Sequence, residues 1–113
     1  MAADLEDALP LTESTFTILL SLAAGPRHGY AIMQDVADLS GGRINLGTGT
    51  LYGALRRLLE QGWIERYDEP ENGERARKAY RLTGVGRRVV AAETARLQSL
   101  LTAAQRRLAP GGA

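Results

Sequence analysis

Residues 47–58 read GTGTLYGALRRL, a stretch in which leucines at helical spacing share the chain with three glycines. Leu51, Leu55 and Leu58, with Leu59 beside them, recur every three or four residues and mark one face of a helix from about Thr48 to Gln61, stopped by Gly62. Yet Gly47 stands at its threshold and Gly49 and Gly53 in its first half, and glycine in a helix interior costs roughly 1 kcal/mol against alanine. A requirement other than helix stability therefore favours them, such as a surface that the backbone approaches closely. With the leucines inward, Gly49, Tyr52, Gly53 and Arg56 turn outward and Arg57 lies at the margin. Free N–H groups near Thr48 and Thr50, at the helix start, are suited to phosphate.

On the N-terminal side, Thr12 is placed to cap a helix whose inward residues are Phe16, Leu19, Leu20 and Ala23, ended by Gly25 and Pro26. The turn GPRHG leads to a second helix, Tyr30 to Leu39, with Ile32, Met33, Val36 and Leu39 inward. On the C-terminal side the period becomes alternating: WIERY (63–67) and KAYRL (78–82) are β-prone, and the polar segment between them holds Pro70 and the turn-forming pair Asn72-Gly73. Thr83 then caps a long helix reaching about Leu108.

That last helix is too long for its own domain. Some 26 residues span about 39 Å at 1.5 Å per residue. An apolar stripe of Val90, Leu97, Leu101, Ala104 and Leu108, flanked by Val89 and Leu100, runs to its end. A second copy of the chain is the expected cover, by antiparallel or crossed pairing; the alternative is folding back on the first helix. Glu93, on this stripe, reads as a solvated edge position by default, the alternative being an ion pair with Arg96 or with an arginine of a second copy.

Charge is segregated along the chain. Residues 1–40 carry one basic group and six acidic, a net −5, while residues 41–113 carry thirteen basic and seven acidic, a net +6. Lys78 is the single lysine. Arginine is the side chain that grips phosphate and guanine in a fork, although a GC-rich coding sequence gives the same bias. There is no cysteine, no apolar run near the ~20 residues of a membrane span, and no basic leader, so the expectation is a soluble cytoplasmic protein. The lone His28 has no companion ligand and reads as a turn residue capping the second helix. Tyr30 and Tyr80 read as core, and Trp63 as a packing residue between the third helix and the sheet. No nucleophile–base arrangement or phosphate-binding lysine loop is present, so no enzymatic activity, cofactor or metal is expected.

Three helices followed by a β hairpin define a mainly α fold, a winged helix-turn-helix followed by one long C-terminal helix. The expected division is a DNA-binding domain at 1–82, with a short extension at 1–10, and a dimerisation helix and tail at 83–113. The segments GPRHGYAI, GTGTLYGALRRLLEQGWI and KAYRLTGVGRR resemble, in order and spacing, the PadR family of bacterial transcriptional regulators, over roughly Leu11 to Arg88. The resemblance implies a homodimer that represses its own or an adjacent operon at a pseudo-palindromic operator and is released by a small-molecule effector. By motif match it places Thr50, Tyr52 and Arg56 on DNA-facing positions of the third helix and Arg75, Arg77 and Lys78 on the wing; helix geometry adds Thr48, Gly49, Gly53 and Arg57 to the candidate DNA face. The chain departs from the family in having Gly53 where proline is usual and in a more acidic wing, DEPENGERARK. Some members hold flat aromatic compounds between paired C-terminal helices with aromatic side chains. All six aromatics here precede residue 81, so an effector pocket is expected to be lined by leucine, valine and alanine with help from the first helix. The alternative function is a winged-helix protein-interaction module that does not bind DNA.

Overall fold

The computed structural model describes residues 5, 7–71 and 74–111. Helix α1 (Glu13–Ala23) begins where the Thr12 hydroxyl accepts the N–H of Thr15 at 3.1 Å, satisfying an amide that the helix start leaves unpaired. Its buried face is Ile18, Leu19 and Leu22. The expected inward set was Phe16, Leu19, Leu20 and Ala23, but Leu20 is exposed and Phe16 only half-buried. The face is rotated because three other elements close on α1: the second helix, the last helix and the central strand.

Helix α2 (Gly29–Leu39) follows a two-residue strand, β1 (Arg27–His28). It buries Gly29, Ile32 and Val36, with Met33 at the edge of the core. Leu39, expected inward, is exposed, and Ser40 takes the inner place, donating to the Ala37 carbonyl at 3.2 Å and accepting the Ile44 amide at 2.9 Å. These bonds turn the chain toward α3 (Thr48–Gln61), which buries Leu51, Ala54, Leu55 and Leu58. Gly62 ends α3 in the left-handed conformation, φ 77°, which glycine adopts without steric penalty.

The wing contains four further strands: β2 (Ile64–Arg66) and β5 (Ala79–Leu82), which match the two expected β-prone segments, and β3 (Glu69–Glu71) and β4 (Glu74–Arg77), which lie in the polar segment between them. β5 is central in an antiparallel sheet of order β1-β5-β2, with Arg27 opposite Tyr80 on one side and Ile64 opposite Leu82 on the other. β3 and β4 pair as a separate ladder, Glu69 opposite Arg77. The break between the two ladders falls at Asp68, whose carboxylate accepts the Ala79 N–H at 3.2 Å in place of a backbone carbonyl. The pair Asn72-Gly73, expected to form the turn, lies outside the described residues.

Helix α4 (Gly84–Leu108) is capped by Thr83, whose hydroxyl accepts the Gly86 amide at 3.1 Å and donates to the Gly62 carbonyl at 2.6 Å. One apolar cluster joins α1, α2, α3, the sheet and the start of α4 through Ile18, Ile32, Leu51, Leu55, Tyr80 and Val89. Tyr80 belongs to it as expected. Tyr30 does not: it is 67% exposed at the start of α2.

Candidate nucleic-acid interface

The outer face of α3 carries Thr48, Gly49, Thr50, Tyr52, Arg56 and Arg57, all exposed, with Gly53 half-exposed among them. The first intrahelical bond is from the Leu51 N–H to the Gly47 carbonyl at 2.9 Å, and no side chain caps the helix start. The amides of Thr48, Gly49 and Thr50 thus lie ahead of the hydrogen-bonded ladder, where the positive end of the helix dipole favours an anion. Among the described residues, neither Arg56 nor Arg57 has a carboxylate partner.

The glycines divide into two kinds. A Cβ built at Gly49 meets nothing within 4 Å, and one at Gly53 meets only the end of the Arg57 side chain at 3.9 Å. Nothing among the described residues requires glycine at either place. At Gly29 a Cβ would collide with the Tyr52 hydroxyl, and at Gly86 with the Trp63 carbonyl. Those two glycines serve internal packing. The first also shows what holds Tyr52, whose ring leaves the face of α3 to rest its hydroxyl on the start of α2.

At the wing root two arginines are already occupied. Arg66 is paired with Asp68 (Nε to Oδ1, 3.1 Å) and Arg81 with Glu65 (2.7 Å), and the Arg81 guanidinium lies 4.5 Å from the centre of the Tyr67 ring. The bonded Arg66 guanidinium holds the Asp68 carboxyl below the usual carboxylate range, helped by the Ala79 amide. Lys78 is exposed beside these pairs. The side chains of Arg75 and Arg77 lie outside the described residues.

Two residues stand elsewhere than their sequence context implies. Tyr30, expected in the core, is exposed, with its hydroxyl accepting from Gln34 Nε2 at 3.1 Å. Its place at the start of α2, outside the Ile32 and Val36 face, was the available signal. Glu93 is not the solvated edge expected by default: it is 1% exposed, pairs with Arg96 as the alternative had it, and accepts the Leu11 amide. No local signal marks a partner 82 residues away. His28 stands at the N-cap position of α2 but makes no side-chain cap bond; its Nδ1 lies 3.4 Å from the Lys78 carbonyl.

Of the apolar stripe on α4, Val89 is withdrawn: at 0% exposure it is consumed by this chain's own core. Val90 is half-buried against the same core. Beyond Arg96 the helix leaves the body, and Leu97, Leu100, Leu101 and Leu108 are 39%, 56%, 50% and 82% exposed, with Ala104 exposed between them. A cleft of about 220 Å³ lies between residues 8–15 and α3, with Thr12, Arg57, Gln61 and Trp63 in its walls. It is not the leucine, valine and alanine pocket expected beside the last helix. Among the described residues there is no cluster of metal-ligating side chains, and no helix is long and apolar enough to cross a membrane.

An α3 with an exposed, arginine-bearing outer face, set against a three-stranded sheet and followed by a separate β3-β4 ladder, defines a winged-helix protein of the kind used by transcription regulators. The sequence profile of the PadR-like transcriptional regulator family matches residues 18–92, and the chain belongs to that family. A PadR family transcription regulator from Clostridium difficile R20291 superposes with a TM-score of 0.72 at 21% identity, over 87% of this chain and all of that one, 100%. Bacillus subtilis PadR in complex with operator DNA superposes with a TM-score of 0.60 at 23% identity, over 69% of this chain and 44% of that one. In sequence, the chain is 36% identical over 81 residues to a 37.1 kDa protein in transposon TN4556 of Streptomyces fradiae, covering 72% of this chain. The chain spans 22% of that relative's length.

Proposed function

We propose that this PadR-like regulator is a homodimeric repressor that binds a pseudo-palindromic operator in the cytoplasm, one α3 in the major groove of each half-site. The observation that carries the reading is the face of α3. Among the described residues, Gly49 and Gly53 face open space, and Arg56 and Arg57, without carboxylate partners, stand beside them. A helix lying in the groove would use both, the glycines for close approach and the arginines for phosphate or guanine. The amides of Thr48, Gly49 and Thr50 would take a phosphate oxygen, and Lys78, Arg75 and Arg77 the backbone beside the wing. Residues 1–82 act in this reading as the DNA-binding domain and residues 83–113 as the dimerisation segment, through Leu97, Leu100, Leu101, Ala104 and Leu108.

The operator complex of Bacillus subtilis PadR supports the DNA partner by kinship of fold. For a small-molecule effector, the support is the cleft walled by Arg57, Thr12 and Trp63, because a molecule bound there would touch the arginine at the margin of α3. The test is a fluorescence-anisotropy titration of the protein with duplexes from its own promoter region and with scrambled controls at several salt concentrations. Tighter binding to one promoter segment, stoichiometric with two chains, is the expected result. Equal affinity for scrambled DNA at every salt concentration would overturn operator recognition.

A further inference from the structure

Glu93 sits where α4 parts from the body of the molecule. It is 1% exposed, and its Oε2 accepts the Leu11 N–H at 3.0 Å while Arg96 grips both oxygens, Nε on Oε1 at 2.6 Å and Nη2 on Oε2 at 3.0 Å. Leu11 immediately precedes Thr12, the cap of α1, and is itself packed against the core. One turn further along α4 the side chains are exposed, beginning with Leu97. The carboxylate thus ties the start of α1 to α4 one turn before the exposed leucines of that helix begin.

A buried carboxylate of this kind is directional. Its acceptor oxygens fit only one placement of the Leu11 amide, and the Arg96 fork keeps the carboxylate from turning. Small rotations at this point are amplified along the exposed remainder of α4, about a further 18 Å of helix to Leu108 at 1.5 Å per residue. We infer that Glu93 is a positioning residue that sets the angle at which α4 leaves the winged helix, and so the distance and phase of the two α3 helices in the dimer. This rests on the dimer and operator reading proposed above. It goes beyond it in assigning the half-site spacing to a buried side chain outside the DNA face and apart from the exposed leucines of α4.

The chain contains no cysteine, so Asp38→Cys on the exposed side of α2 carries a single spin label in each protomer. The label-to-label distance, read by double electron–electron resonance, is expected as one narrow peak. Glu93→Leu fills a similar volume but removes both acceptor oxygens; it is expected to remain dimeric, to broaden that peak and to shift its centre by several ångströms. It is also expected to weaken the discrimination against operators whose half-sites are separated by about 5 further base pairs, half a helical turn. Glu93→Gln, which keeps an acceptor for Leu11, should restore the narrow peak. Should Glu93→Leu fail to fold, Arg96→Met frees the carboxylate to turn and is expected to broaden the peak in the same way. A dimer of either folded variant with the wild-type peak and the wild-type spacing preference overturns the inference. A monomeric wild-type protein overturns the dimer reading together with it, and that outcome shows before any change at position 93.

Discussion

The hydroxyl of Tyr52, on α3, rests on the backbone of Gly29 at the first position of α2, in space that a Cβ at residue 29 would occupy. The two helices are keyed to one another by a missing side chain. Gly29→Ala should therefore cost about 1–3 kcal/mol through overpacking. In a Tyr52→Ala background the obstacle is gone and only the Leu51 methyl at 3.5 Å remains nearby, so the same substitution should be neutral or mildly stabilising. Urea denaturation of the four members of this double-mutant cycle measures the coupling. Additive effects would show that the Tyr52 ring moves aside freely.

The outer glycines should behave in the opposite sense. Gly49→Ala and Gly53→Ala meet no obstacle within the fold and should hold or raise thermal stability, by up to about 1 kcal/mol for the interior position, while lowering operator affinity. Gly86→Ala drives a Cβ into the backbone carbonyl of Trp63 and should destabilise by a few kcal/mol. Melting temperatures and operator titrations on the same three variants separate glycine required by packing from glycine required by an external surface. If Gly53→Leu binds operator as well as the unaltered chain, close approach is not the reason for Gly53.

Arg56, exposed and without a carboxylate partner among the described residues, is expected to read a base. Arg56→Ala should relax preference at one base pair in each half-site by about 1–3 kcal/mol. Lys78→Ala should instead weaken all duplexes alike and flatten the slope of log affinity against log salt by about two for a dimer, one contact per chain. A uniform loss for Arg56→Ala across operator variants would make it a phosphate anchor.

Leu97→Glu combined with Leu101→Glu should yield monomers that keep their fold, because both side chains are already exposed in the single chain and the charge meets apolar surface only across the dimer, at several kcal/mol. Val89→Glu should unfold the chain instead, since Val89 is wholly buried. Analytical ultracentrifugation with circular dichroism distinguishes the two results. A monomeric unaltered chain at tens of micromolar would remove the interface, by the mass-action criterion for obligate dimers.

Acid should loosen the junction at Glu93. The Arg96 bonds, and after them the Leu11 amide, hold its carboxyl below the usual carboxylate range against the opposing effect of burial. A carboxyl depressed on folding adds stability that is complete above its unfolded pKa, about 4.3, and is lost as pH falls through the lower folded value. Denaturation midpoints of the unaltered chain and of Glu93→Gln should accordingly differ most near neutrality and converge below about pH 4. A constant difference from pH 7 to pH 3 would show that the carboxylate charge adds nothing there.

Local chemistry in the sequence determined the elements themselves. Thr12, Thr83 and Gly62 set helix limits because caps act through neighbouring backbone, and Leu51, Leu55 and Leu58 oriented α3 because their spacing alone places them on one face. The same spacing exposed Gly49, Gly53 and Arg56. Tertiary structure alone decided what depends on partners far along the chain. It rotated the buried face of α1 away from Phe16 and Leu20, because several elements close on that helix at once. It left Tyr30 and Leu39 in solvent, took Val89 into the core, and paired the two residues of β1 with a strand some 50 positions later. The burial of Glu93 belongs with these: a carboxylate goes inside only where its hydrogen bonds are met, and one of those donors, the Leu11 amide, is brought to it by the fold.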